Sequence, residues 1–423
     1  MTPRVSEATA DRGSAVGAGC PVLGAGHPGG RVPAGEFDAL LVVSFGGPEG
    51  PADVWPFLRN VTAGRNVPEA RLAVVAEQYR MFGGRSPLND QNRALVAALR
   101  EQLPDLPVYW GNRNWAPYLT DTVAELAAAG VRRVACFVTS AFPSYSGCRQ
   151  YREDLAGALA ALPADVPVPE LVPLRLFFDH PGFVEPMVDH SVAAIAQLPE
   201  PARADAPLLF TAHSLPLSQA RASGPHGHAY PRQLRTVAEL VVAGVERRTG
   251  VRHPFEIVYC SRSGPPSVPW LDPDVGDRLV ELAGQGAAGA VMVPLGFVSD
   301  HMEVIHDLDV VATGRARDHG LAVTRASTVG TDRRFVAMVG ELLAERADPR
   351  APQRSLSAFG PWPDVCPPGC CQPASRTRPG ASAGEQVGGR PEPAILIGDD
   401  ATSSATPAGD TRPLRTGRGQ GQR

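Results

Sequence analysis

Apolar residues along this chain gather in short runs separated by longer amphipathic stretches. Seven runs have strand length: "ALLVVSF" (39–45), "PVYWGN" (107–112), "RVACFVTS" (133–140), "LVPLRLFF" (171–178), "PLLFTAH" (207–213), "FEIVYCS" (255–261) and "GAVMVPLG" (289–296). Between them lie segments of helical period, such as "NRALVAALREQL" (92–103), "YLTDTVAELAAAG" (118–130) and "RQLRTVAELVVAGVERRTG" (232–250). Gly130 and Gly250 stand where two of these helices need a C-terminal stop. Regular alternation of strand and helix predicts parallel α/β architecture, because the crossover helices cover the sheet faces. Seven strands crowd a single compact sheet, and the Pro-rich "LPADVPVPE" (162–170) marks a boundary. The pattern predicts two similar Rossmann-like, doubly wound domains with a cleft between them. The first spans 36–165, completed by about 325–350, and the second spans 166–324.

Both ends lose the periodicity. Residues 1–35 and 374–423 are rich in small and polar residues and are expected to be disordered, leaving 351–373 as a short cysteine-bearing extension. Net charge of −4 over 423 residues carries no nucleic-acid footprint. The chain has no lysine, which the abundance of Ala, Gly, Pro and Arg explains as GC-rich coding and not as function. No apolar run reaches the ~18 residues of a membrane span, and the first 35 residues lack the apolar segment of a signal peptide. A cytoplasmic location is the expectation. Thiols stay reduced there, so the seven cysteines point to metal before disulfides.

Ligands in doubly wound sheets bind beyond the carboxyl ends of strands, and the chemically notable residues lie there. His213 ends a strand in "TAHSLP" and is placed to act as base or metal ligand, or to cap and fill the core. The stretch "VSDHMEVIHDLD" (298–309) follows the last strand-like run. Asp300 and Glu303 have capping-box spacing, and Glu303, His306 and Asp307 have the spacing of one helix face. A histidine and a glutamate without thiolates suit transient Fe(II) or proton acceptance. "CPPGCC" sets Cys366, Cys370 and Cys371 in one turn, with Cys148 of "SYSGCRQY" as a fourth thiol from elsewhere. Four thiolates satisfy either zinc or an iron–sulfur cluster. Cys136 and Cys260 fall inside strands and read as buried small hydrophobes.

With those pieces in order, the chain resembles the ferrochelatases, the actinobacterial kind in particular. The resemblance is carried by "LLVVSFGGPEG", "NVTAGRNVP", "YRMFGGRSPLND", "SYSGCRQYRED", "FTAHSLP", "YCSRSGPPSVPWLDPDV" and "PLGFVSDHMEVIHDLDV", and covers nearly all of the folded span. It implies insertion of Fe2+ into a porphyrin, coproporphyrin III before protoporphyrin IX; a monomer is the expectation, with no membrane span and no nucleic-acid partner as the composition indicates. It implies His213 and Glu303 as the catalytic and Fe2+-handling pair, with His301 and Asp307 on a secondary proton or iron path. Ser86 and Tyr151 match positions that contact porphyrin propionates, Arg65 is a further carboxylate partner, and Phe45, Trp55, Tyr145 and Phe297 are substrate-wall candidates by position. The cysteines match relatives that carry a [2Fe-2S] cluster, which would then be held by Cys148, Cys366, Cys370 and Cys371. Two departures stand out. Phe45 occupies the position where firmicute relatives have an iron-ligating tyrosine, and the C-x3-C-C spacing is not that of the animal enzymes. A cobalt chelatase, a non-catalytic haem or metal carrier and an iron–sulfur sensor are the rival readings.

Overall fold

A computed structural model describes residues 36–64, 67–264, 267–367 and 369–373. Both expected tails, and Arg65, lie outside the described residues.

Eight strands form two four-stranded, all-parallel sheets. The first holds β1 (Ala39–Ser44), β2 (Val108–Asn112), β3 (Arg133–Val138) and β4 (Glu170–Pro173) in the order β2-β1-β3-β4. The second holds β5 (Leu208–His213), β6 (Phe255–Cys260), β7 (Gly289–Val293) and β8 (Ala322–Arg325) in the order β6-β5-β7-β8. The two orders are the same motif twice, as the doubly wound reading requires. β1, β5 and β7 are almost wholly buried because helices cover both faces, so they read as continuous apolar runs and not as alternations. Gly130 and Gly250 adopt φ of 73° and 75°, the left-handed conformation that closes a helix without a Cβ penalty.

The fourth run departs from expectation. Only Glu170–Pro173 is strand, and it pairs with β3, so the first sheet runs past the boundary placed at 165. The strand stops because the chain after Pro173 is claimed by other partners. Arg175 turns inward to a buried bidentate pair with Glu345 (2.7 and 3.0 Å). The halves are not separate cores. One continuous apolar cluster contains Leu40 and Val42 of β1, Phe210 of β5, Phe335 and Met338 of the Arg333–Ala347 helix, and Trp362, Cys366, Cys370 and Cys371 of the extension. That helix packs on the Leu88–Gln102 helix of the first half and on the crossover helix Pro181–Gln197. Among the described residues no helix is long and apolar enough to cross a membrane.

Candidate active site and cysteine knot

His213 is the last residue of β5, and its ring is fixed from both sides. Nδ1 lies 2.5 Å from the Ser214 carbonyl, which can only accept, so Nδ1 carries the proton. The Tyr230 hydroxyl donates to the His213 carbonyl (2.9 Å) and holds the backbone. Nε2 is thereby the free nitrogen, and it faces Glu303 Oε1 at 3.3 Å. Both side chains stay partly open to solvent, at 33% and 41% exposure. Burial pushes the His213 imidazole down, but the charge and hydrogen bond of Glu303, the Ser214 carbonyl and Asp307 outweigh it and hold its pKa at about 9. Burial likewise pushes Glu303 up, and the charge and hydrogen bond of His213, with His301, bring it to about 2. The pair is therefore ionised at neutral pH, and can surrender one proton to solvent or to a bound group.

The stretch 298–309 is built differently from the capping-box expectation. His301, not Asp300, caps the helix: its Nδ1 accepts from the Glu303 amide (3.2 Å) while its ring packs edge-on against Phe297 at 5.1 Å. Burial keeps His301 below its ordinary pKa, opposed by Glu303 and helped by the positive His213. Asp300 instead pairs with Arg325 Nη1 (2.9 Å). After one α turn, Met302–Val304, the chain widens into a π-helix, Ile305–Ala312. π turns hold one extra residue and occur mostly at functional sites. The widening breaks the expected Glu303–His306–Asp307 face. His306 is buried, with Nδ1 2.7 Å from Asp307 Oδ1, and Asp307 Oδ2 accepts from Ser261 at 2.5 Å. Ser261 holds a φ of 62°, in the left-handed region that a non-glycine residue enters rarely.

On the first-sheet side, Phe45 is exposed just beyond β1 and faces the edge of Phe57. Ser86 is 3% exposed and so close to Gly47 that a Cβ there would stand 2.7 Å from the Ser86 Cβ. Tyr151 is also buried, under the Arg113 guanidinium, which sits 4.7 Å from its ring and 5.8 Å from that of Phe45 and is ion-paired with Asp154. Sequence reasoning missed Arg113, the buried cation that links these two expected porphyrin contacts. It also missed Tyr79, which meets Phe57 edge-on at 5.9 Å and whose phenol is pushed above its ordinary pKa by burial and by the charge of Glu303. Of the further wall candidates, Phe297 is buried behind His301, Tyr145 donates to Glu153, and Trp55 packs with the helices after β1.

The four cysteines come together. Cys148 sits on a second π turn, Tyr145–Arg149, capped by Ser144, whose hydroxyl accepts from the Gly147 amide (2.8 Å). Its thiol is hydrogen-bonded with Cys366 and Cys371, and Cys370 Sγ lies 3.7 Å from Cys371 Sγ. All four are buried and free. Backbone and side-chain donors surround them: the Gly224 amide to Cys371 Sγ (3.2 Å), Arg149 to the Cys370 carbonyl (3.2 Å), and the Arg152 guanidinium beside Cys366. Hydrogen bonds from Cys148 and Cys370 draw Cys366 and Cys371 below the ordinary thiol range, Cys371 to about 4. Among the described residues no group of three His, Cys, Asp or Glu is arranged to hold a single metal ion. Cys136 and Cys260 are buried in β3 and β6, and burial raises both thiols.

Twin parallel sheets with an ionised His–Glu pair at the carboxyl end of β5 define an α/β enzyme that handles a metal or proton in a cleft. The chain belongs to the ferrochelatase family, whose model matches residues 37–347. It is 74% identical over 376 residues to the coproporphyrin III ferrochelatase of Frankia alni, covering 87% of this chain and 96% of that one. It is 54% identical to the coproporphyrin III ferrochelatase of Streptomyces griseus, covering 82% and 96%. Among solved structures it is similar to SirB from Bacillus subtilis with Fe3+, at a TM-score of 0.45 and 11% identity, covering 73% of this chain and 97% of that one.

Proposed function

We propose that the chain inserts Fe2+ into coproporphyrin III to give coproheme, in the cytoplasm and as a step of haem synthesis. The observation that carries the reading is the partly exposed His213–Glu303 pair at the end of β5, in a chain whose relatives from Frankia alni and Streptomyces griseus bear that activity in their names. Metal entry must displace two pyrrole protons, so a base has to face the ring. His213 Nε2 takes that role once it has lost its own proton, while Nδ1 stays anchored to the Ser214 carbonyl. Glu303 stabilises the imidazolium that forms and offers an oxygen ligand to the incoming iron. His301 and Asp307 stand behind it as the next polar stations. Phe45 has no ligating atom, so the product iron takes nothing from that position.

The thiol set suits a [2Fe-2S] cluster held by Cys148, Cys366, Cys370 and Cys371. Four buried thiols from two distant segments, with a buried guanidinium beside them, are the chemistry such a group needs. The cluster would supply a covalent tie between the extension and the π turn of the first half. Insertion itself transfers no electrons.

The test is anaerobic Fe2+ insertion by the purified chain, coproporphyrin III against protoporphyrin IX, with Glu303→Ala alongside. Faster coproporphyrin turnover that collapses in the variant supports both substrate and site. Turnover untouched by Glu303→Ala returns the stretch to a solvated helix start, and no insertion into either porphyrin favours a carrier.

A further inference from the structure

Asp300 is gripped by a residue of the other half. Gln91, in the first turn of the Leu88–Gln102 helix, donates from Nε2 to the Asp300 carbonyl (2.9 Å), and the Asp300 amide donates to Gln91 Oε1 (2.8 Å). A primary carboxamide is thus paired with both polar groups of one backbone residue, as a neighbouring β-strand would be. The partners are 209 positions apart in sequence. Asp300 is also held from its own half. Its carboxylate pairs with Arg325 Nη1 (2.9 Å), and Arg325 Nη2 reaches Asp309 Oδ2 (3.0 Å) in the middle of the π-helix. The next residue is the His301 cap, and the next acid is Glu303.

We infer that Gln91 is a positioning residue for metal insertion: its carboxamide sets the height of the Glu303-bearing wall over the half of the cleft that carries Phe45 and Ser86. The inference rests on the proposed reaction, because the distance it sets is that between the proton acceptor and the face of the bound ring. Two elements need registering here, and no strand pairing does it, since the sheets are separate. The Asp300 amide and carbonyl supply the registration points, and only a side chain with both a donor and an acceptor can meet them. Glutamate lacks the donor and would set a carboxylate against the carbonyl. Methionine matches the length and offers neither bond. Reacting groups displaced by about 1 Å can lose on the order of 100-fold in rate, so loosening this contact acts on turnover before it acts on binding.

The experiment compares wild type, Gln91→Met and Gln91→Glu in three measurements. These are steady-state Fe2+ insertion, porphyrin affinity by fluorescence quenching, and hydrogen exchange of the peptide containing Asp300. The expected result is a loss of about 10-fold to 100-fold in kcat for Gln91→Met, unchanged porphyrin affinity, and faster exchange of the Asp300 amide. Gln91→Glu, which keeps the acceptor for the Asp300 amide but sets a carboxylate against its carbonyl, should protect that amide partly and still lose activity. Unchanged kcat with faster exchange overturns the positioning role. An equal loss of kcat and porphyrin affinity overturns it too, by making Gln91 a support of the binding pocket alone. Should wild type itself insert no iron, the proposed reaction falls, while the exchange data still report whether the clamp exists.

Discussion

Arg175→Met is the most demanding test of how the extension is held. Arg175 and Glu345 are 1% and 2% exposed, so solvent screens neither charge. The guanidinium makes two bonds to the carboxylate and donates further to the carbonyls of Arg354 (2.9 Å) and Leu176 (3.2 Å). Methionine fills much of the volume but leaves Glu345 buried with the charge unpaired and the Arg354 amide (3.2 Å) still donating to it. Breaking a buried pair from one side costs about 3–5 kcal/mol. With an unfolding entropy near 2.1 cal/mol/K per residue over a folded span of roughly 335 residues, that becomes a fall in Tm of about 4–7 °C. Arg175→Met/Glu345→Leu removes both charges and should recover part of the loss, less about 1 kcal/mol for each carbonyl left unpaired. Thermal unfolding of the three proteins by circular dichroism decides it. A single-variant shift below about 1 °C, or a double variant no better than the single, would refute the assignment of a buried, mutually dependent pair.

Two further outcomes follow from the site and the knot. His213 stays charged until pH rises through about 9, so the pH profile of kcat/KM for insertion should climb on the alkaline side toward that value, and Glu303→Gln should move the climb down toward the ordinary histidine range. The same pair affects stability with definite signs: His213's raised pKa contributes below its unfolded value and is lost as pH rises through about 9. Glu303's lowered pKa contributes above its unfolded value and is lost as pH falls through about 2. A profile that Glu303→Gln leaves in place would contradict the coupling. With the proposed [2Fe-2S] cluster, the purified protein should show visible absorption and stoichiometric iron and acid-labile sulfide, and Cys148→Ala should abolish them and lower the yield of folded chain. Full iron and sulfide in that variant would remove Cys148 from the ligand set.

Patterning revealed most of the frame because buried parallel strands are long apolar runs, and seven of the eight strands stood out that way. β8 did not: "AVTR" is short, half-exposed and carries no apolar majority. The second π turn and the first were equally hidden, since a wide turn uses the same residues as a narrow one and differs only in hydrogen-bond partners. His213 and Glu303 were legible because each follows a strand end, where such sheets place their chemistry. Their partners were not. Arg113 reads as one arginine among forty basic residues until the fold stacks it over Tyr151. Gln91 meets Asp300 through side chain to backbone, a contact that leaves no trace in the spacing of either segment.

The π-helix at Ile305–Ala312 also bears on how this wall can change over generations. A π turn differs from an α turn by one inserted residue, so losing a residue there would leave a sound helix. Yet each residue in an α-helix advances the azimuth by about 100°, and every side chain on one side of the deletion would swing by that angle relative to the other. Asp307 could then no longer meet Ser261 while Asp309 still met Arg325. Substitutions can drift through this stretch one at a time, but its length is frozen: the reading frame of the helix, more than the identity of its residues, is what a descendant must inherit intact.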